Sequence, residues 1–460
     1  MIRRAMNATL CLFLLAAWVS TAASQGLRQQ VLETSLSNGL KVILLENHKA
    51  PVVTFQVWYR VGARNEQYTK TGLSHVLEHM MFKGTKKVGP GEFARIVQEN
   101  GGQDNAFTSS DYTAYFENLS SDRIDVALEL ESDRMRNLVL RDEDFQTERS
   151  VVIEERRLRT DDNPKAVLME QLEAIAFQIH PYRWPVIGWM QDLTRLTLDD
   201  LKQHYQRFYH PGNAFLVVVG DFKREELLPR IERYFGGTPK GVPPDQMVPQ
   251  EAPQQGERRV SLHKEAQLAS VVMGYHVPNL PHPDAYVLEV VAALLSAGES
   301  SRLQMNLVRA KELALVAGAD NALVSKDPNL FTIAADALPG KDAAEVEKAI
   351  NVEVERLQEE MVGERELEKV KNSLESGFIY SQDSFFAQAM LLAQHEIVSS
   401  WRAVDEYVPS VRKVKAEDVQ RVARQYLVPE NRTVAVLVPK VTGKGAPQPP
   451  GPALPERVIR

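Results

Sequence analysis

The chemistry of this chain starts at Gly72-Leu73-Ser74-His75-Val76-Leu77-Glu78-His79-Met80-Met81-Phe82. At 100° per residue, Leu73, Val76, Leu77 and Met80 fall on one face of a helix, and His75, Glu78 and His79 fall on the opposite face. Two imidazoles four residues apart can reach one metal ion, and the glutamate beside them could take a proton from a water that the ion has acidified. That is the chemistry of hydrolysis. The alternative is the wet side of an ordinary amphipathic helix. A tetrahedral catalytic site needs a third protein ligand and an open position, so a further carboxylate must come from elsewhere. Glu148 and Glu155 lie seven apart on a helical stretch from Glu143, on a face shared with Val151, Val152 and Leu158. Such a face is expected to be buried, and a buried carboxylate has to be paired or bound to a cation. A salt bridge to an arginine is the competing account for either residue alone. Glu154 points away from this face and is expected in solvent.

Length and composition narrow the setting. The chain has 460 residues, long enough for at least two domains, with 44% hydrophobic and 25% charged residues, as in folded globular proteins. Its net charge of -7 offers no bulk attraction to nucleic acid or anionic lipid. Residues 1–24 have the layout of a secretory signal peptide: Arg3 and Arg4, an apolar run from Leu10 to Val19, then Ala22, Ala23 and Ser24. The run is too short to span a membrane. Cleavage would take the charge from -7 to about -9 and remove Cys11, the single cysteine. Hydrophobic Leu12 to Val19 still follow Cys11, which argues against lipidation there. A mature chain without thiols excludes disulfides, cysteine nucleophiles and thiolate metal sites, so any metal is held by His, Asp or Glu. The expected address is outside the cytoplasm, in a bacterial periplasm.

The elements that must position these residues follow from periodicity and turn chemistry. Thr34 to His48 reads as a hairpin around Asn38-Gly39, and Val52 to Val61 as a strand. Helical periods begin near Gly72 and run over Pro90 to Asn100, Asp122 to Leu138, Glu143 to Phe177 and Leu198 to Tyr209. Thr113 to Leu119 and Ala214 to Val219 read as strands. Residues 236–258 carry five prolines and form a linker between an N-terminal half, 25–235, and a C-terminal half, 259–439. The second half repeats the element order of the first at an offset of roughly 215 residues. Residues 440–460 read as a disordered Pro/Gly-rich tail. The expected fold class is α+β, with two repeated halves, each an antiparallel-rich sheet with helices on one side, forming a clamshell.

With these segments in view, the chain resembles the pitrilysin-like, inverted-zincin (HxxEH) metallopeptidases, close to the mitochondrial processing peptidase and its bacterial relatives. The matching segments are Gly72 to Thr85, Asn100-Gly101-Gly102 with Asn105-Ala106-Phe107-Thr108, Glu148 to Glu155, His180-Pro181-Tyr182, and Asn213 to Asp221. The resemblance implies one zinc ion per chain, held by His75, His79 and Glu155, with Glu78 as general base and Glu148 supporting the ligands. It also implies that Asn105, Ala106 and Phe107 belong to an edge strand onto which an extended substrate adds as one more strand. Peptides and unfolded segments would then be the substrates. Sequence alone reads Gly101-Gly102 as a turn and Phe107 equally well as ordinary core.

The second half has no HxxEH copy and departs from the family in one place. Arg309 stands where the family has the arginine of an Arg/Tyr pair that binds substrate and the tetrahedral oxyanion. Leu315 and Val316 stand where the tyrosine is expected. Neither can donate a hydrogen bond. Some family members divide the work between two chains, so a heterodimer with a homologous subunit carrying Arg and Tyr is the favoured expectation. The competing one is an isolated active chain, with Arg309 only a surface cation. A non-catalytic peptide-binding or assembly subunit is the alternative function, and a metal scavenger a third.

Overall fold

A computed structural model describes residues 26–245 and 249–440. The signal segment and all but the first residue of the tail lie outside the described residues. The first half contains β1 (Val31–Ser35), β2 (Lys41–Glu46), β3 (Val52–Tyr59), β4 (Gln103–Thr108), β5 (Thr113–Ser120) and β6 (Ala214–Gly220). They form one sheet in the order β1-β2-β6-β3-β5-β4. β1 and β2 are the expected hairpin: Gly39 takes the left-handed conformation (φ 84°), and its N–H donates to Leu36 O at 2.9 Å. β6 is buried along its whole length between β2 and β3, which is why it reads as an unbroken apolar run.

The second half contains β7 (Arg258–Lys264), β8 (Ser270–Val277), β9 (Ala314–Asn321), β10 (Asn329–Ala337) and β11 (Arg432–Pro439), in the order β7-β11-β8-β10-β9. The topology is that of the first sheet from β2 onward. Each sheet has one parallel pair, β2 with β6 and β7 with β11, and is otherwise antiparallel. Both end on an edge strand, β4 or β9. The repeat expected from element order is therefore present strand for strand from β2 onward, β1 having no counterpart in the second sheet.

The packing adds an exchange that the sequence pattern does not reveal. Each half keeps its own helices on one face of its sheet, and the other face is covered by a helix from the opposite half. Leu168, Leu172 and Ala176 of the helix Pro164–Ala176 pack on Val272, Leu330, Ala435 and Leu437 of the second sheet. Ala389, Leu392, Ala393 and Ile397 of the helix Phe385–Val398 pack on Ile43, Leu45, Trp58, Phe215, Val217 and Val219 of the first. Side chains alternate along a strand, so Leu216 and Val218 serve the first half's own core while their neighbours meet the exchanged helix.

Two boundaries differ from expectation. The stretch from Glu143 to Phe177 is two helices, Asp142–Arg156 and Pro164–Ala176, separated by a π-helical turn, Arg157–Asp161. Asn163 caps the second, its side chain accepting from Lys165 N and Ala166 N, with Pro164 in the first turn. The linker is also more than a spacer. Glu251 accepts the backbone N–H groups of Gln178, Ile179 and His180 at 2.7, 2.8 and 2.9 Å, and β7 begins at Arg258, the last residue assigned to the linker.

Polar contacts also tie the halves together. His180 Nε2 lies 2.9 Å from Asp327, the Tyr182 hydroxyl donates to Asp111 and accepts from Asp327 N, and Arg64 pairs with Asp327. The His180-Pro181-Tyr182 motif thus has a structural role. Glu33 on β1 accepts from Trp401 Nε1 at 2.7 Å and pairs with Lys41 at 3.0 Å and with Arg402. Burial pushes the Glu33 carboxyl up, but these donors outweigh it and bring it down to about 2.

Because each exchanged helix seals the other half's sheet, Leu172→Ala and Leu392→Ala should each cost about 2–5 kcal/mol. Amide hydrogen exchange should then accelerate in both halves together; acceleration confined to one half would contradict the coupling. A depressed carboxyl stabilises the fold above its unfolded value near 4.5 and loses that contribution as pH falls toward about 2. Glu33→Gln should therefore lower Tm at pH 7, by an amount that shrinks between pH 4.5 and 2. An undiminished difference at low pH would remove the assignment.

Candidate active site

The helix Leu73–Met80 buries Leu73, Val76, Leu77 and Met80 and turns His75, Glu78 and His79 toward a cavity, as its periodicity predicts. Its start is fixed by contacts that the sequence does not advertise. Gly72 is left-handed (φ 89°), and a Cβ there would lie 2.8 Å from Ile187 O and 3.1 Å from Gly188 Cα. Gly188 (φ 86°) meets Gly72 in return, so two glycines let the helix start and the loop after Trp184 touch backbone to backbone. The buried carboxylate of Glu66 accepts Gly72 N and Ser74 N, both at 2.7 Å, and so caps the helix from six residues upstream. Burial pushes the Glu66 carboxyl up to about 8 against the pull of those two donors.

The helix Asp142–Arg156 lies alongside. Its seam toward the His75 helix runs through Phe145, Glu148 and Val152, all buried, and then Glu155. This corrects the expected apolar face. Val151 is 44% exposed and Leu158 72% exposed, because Val151 sits beside the seam and Leu158 falls in the π-helical turn beyond it. Glu154 is exposed, as expected.

Glu155 Oε2 stands 3.4 Å from His79 Nε2 and 3.7 Å from His75 Nε2, and the three residues offer ligand atoms that all lie within 4.8 Å of one another. Ligand atoms held about 2.0–2.1 Å from a tetrahedral zinc are roughly 3.4 Å apart, so this donor set fits such an ion. The electrostatics agree. Burial, and then His79, hold the His75 imidazole down to about 4. Burial also works against charge on His79, but hydrogen bonds to Glu148 and Glu155 lift it to about 9. Without an ion the pocket keeps one proton on His79; the donor set calls for a positive charge at its centre.

Around this centre each group has a holder. His79 Nδ1 donates to Glu148 at 3.1 Å, and Lys83 Nζ lies 2.5 Å from the other Glu148 oxygen. Burial raises the Glu148 carboxyl, yet His79 and Lys83 draw it below the usual range. Glu78 accepts from Thr108 Oγ1 at 2.5 Å, and burial pushes its carboxyl up to about 6 against that bond. Arg156, buried next to Glu155, donates to Glu170 Oε2 and to Gly188 O, both at 2.8 Å, locking the Glu155 helix to the loop that also receives Gly72. The sequence assigns no role to Lys83, Thr108 or Arg156, although the first two fall in segments that carry the family resemblance. Their signal is contact across elements, which spacing along the chain does not carry.

These groups line a cavity of about 940 Å³ whose walls include Asn105, Ala106 and Phe107 of β4, the helix Pro164–Ala176 and residues 185–187. β4 is the sheet's edge, paired on one side with β5. Asn105 and Phe107 border the cavity at the sheet edge, although their side chains project to the sheet face opposite Thr108: the Asn105 side chain accepts from Ala106 N, and Phe107 packs edge-on against Trp58 at 5.6 Å. Phe107 is thus both core and wall. Every lining residue falls between His75 and Ile187. Arg309 is not among them; it lies in a π-helical segment of the second half, Gln304–Ala310, exposed and paired with Glu299. Leu315 and Val316 are exposed near the start of edge strand β9. No helix among the described residues is long and apolar enough to cross a membrane.

Known proteins resemble this chain over most of its length. Residues 41–188 match the family described as Insulinase (Peptidase family M16), and residues 195–374 match the Peptidase M16 inactive domain. The chain is 36% identical over 412 residues to the zinc protease PqqE of Helicobacter pylori, covering 88% of this chain and 92% of that protein. It is 26% identical over 408 residues to an uncharacterized zinc protease, YmxG, of Bacillus subtilis, covering 87% and 97%. The crystal structure of a protease from Helicobacter pylori superposes with a TM-score of 0.85 at 34% identity, over 89% of this chain and 99% of that one. The periplasmic protease PqqL of Escherichia coli shares the fold at a TM-score of 0.76 and 18% identity, over 90% of this chain and 48% of that one. With both family domains matched in order along one chain, and 36% identity over 412 residues to a relative covered over 92% of its length, the protein belongs to peptidase family M16.

Proposed function

We propose that this chain is an exported zinc-dependent endopeptidase that hydrolyses extended peptides or unfolded segments. The observation that carries the reading is the placement of Glu78. Its carboxylate sits on the same helix face as two imidazoles that meet Glu155, and it is held by Thr108 at the end of an edge strand. A zinc ion bound by His75, His79 and Glu155 would supply a Lewis acid that makes water a nucleophile at neutral pH. Glu78, largely withdrawn from solvent, takes the proton of the attacking water and is placed to pass it to the departing amine. The free edge of β4 offers backbone N–H and C=O groups to an extended chain, with the Asn105 amide beside them. Glu148 holds the His79 ring in the orientation that presents Nε2.

The oxyanion donor is the part this chain does not supply from its second half. Arg309 is turned to Glu299, and Leu315 and Val316 have no hydroxyl. A homologous subunit bringing an Arg/Tyr pair over the open cavity completes the site in this reading, and the first 24 residues direct this chain to a periplasm. The same features favour a second reading, a peptide-binding subunit without turnover.

The test is zinc content together with cleavage of unstructured peptides by the mature chain, alone and with a homologous subunit that carries an Arg/Tyr pair. Glu78→Gln should keep one zinc per chain and lower kcat by about 10²–10⁴. His75→Ala should lose the zinc and the activity together. Turnover that survives Glu78→Gln would sink the assignment of the base. Full zinc occupancy without cleavage under any pairing would establish the binding subunit instead.

A further inference from the structure

The two oxygens of Glu155 have different partners. Oε2 faces both imidazoles, at 3.4 and 3.7 Å, while Oε1 lies 2.7 Å from Arg159 NH1. Arg159 belongs to the π-helical turn Arg157–Asp161, where the chain leaves the Glu155 helix. Three arginines diverge around that turn: Arg156 goes inward to Glu170, Arg157 outward to Glu154, and Arg159 back over the cavity to Glu155. Single π-helical turns are rare and recur at functional sites.

We infer that Arg159 is a positioning residue whose guanidinium fixes the Glu155 carboxylate so that one oxygen only is offered to the metal. The inference rests on reading His75, His79 and Glu155 as the metal ligands. A carboxylate free to rotate can present both oxygens and fill the position that a substrate water needs. With Oε1 held by Arg159, that position stays open. The division of labour matches the one at His79, where Glu148 takes Nδ1 and leaves Nε2 to the centre.

The plain alternative is a solvent-exposed pair at i,i+4, which contributes little. Arg159 is indeed 68% exposed, but the Glu155 side chain is only 16% exposed and its second oxygen is committed to the imidazoles. The neighbouring pair, Arg157 with Glu154, is exposed on both sides, and neither residue lines the cavity of the donor set. It serves as the internal control.

The experiment titrates the metal-free mature protein with Co²⁺, read by visible absorption, and with Zn²⁺, read by competition with a chelating dye. Wild type, Arg159→Gln, Arg159→Lys and Glu154→Gln are compared. Arg159→Gln should weaken zinc binding by about 10- to 100-fold and shift the cobalt spectrum toward the weaker absorption of higher coordination, with the metal-free Tm unchanged. Arg159→Lys should recover most of both, since one donor is enough for one oxygen, and Glu154→Gln should match wild type. Equal zinc affinity and an identical cobalt spectrum in Arg159→Gln would reduce the pair to a surface contact and overturn the inference. A wild type that binds neither ion would overturn the ligand reading itself, and this inference with it.

Discussion

Two helices that share no turn must lie side by side closely enough for one carboxylate to meet two imidazoles, and most of the local structure serves that approach. Bringing three donor groups together in a half-buried site is unfavourable unless a cation sits among them. The fold therefore spends other contacts on holding the arrangement. Gly72 against Gly188 sets the height of the His75 helix, Glu66 ties down its first N–H groups, and Arg156 fastens the Glu155 helix to the same loop. Remove the left-handed glycines and the loop no longer reaches both helices.

The repeat shows what the site adds to the scaffold. In the second half the segment after β8 is the helix Asp284–Ser296, buried through almost its whole length, with no imidazole facing the sheet edge. One polar contact persists: Glu289 accepts from Asn321, the last residue of edge strand β9, as Glu78 accepts from Thr108, the last residue of β4. Burial pushes the Glu289 carboxyl up to about 7. The link between helix and edge strand is thus common to both halves, while the imidazoles and the carboxylate of a second helix belong to the first half alone.

Much of this was legible in the sequence because it is periodic. The faces of the His75 helix, the Asn38-Gly39 hairpin, the apolar run of β6 and the repeat of element order all follow from spacing along the chain. Val151 and Leu158 depart from the expected buried face for two reasons: Val151 sits beside the seam between the helices, and Leu158 falls in the π-helical turn that ends the continuous helix at Arg156. The roles of Glu66 and Arg156 and the contact of Thr108 with Glu78 do not show in the sequence because their partners lie on other elements, and an isolated Glu or Arg has no pattern of its own. The exchange of covering helices was hidden for a similar reason: an apolar stripe says that a helix face is buried, not which sheet buries it.

That exchange bears directly on the site. The helix Pro164–Ala176 is two-sided, with Ala166, Met169, Glu170 and Glu173 in the wall of the cavity and Leu168, Leu172 and Ala176 on the second sheet. Its Glu170 also anchors Arg156, the neighbour of Glu155. The half without ligands therefore sets one wall of the cavity and, through Arg156, the seat of the carboxylate. Interiors pack at crystal-like density, so a shift of the second sheet under this helix has no soft layer in which to dissipate. A domain that brings no metal ligand is still part of the machinery that keeps the metal ligands in place.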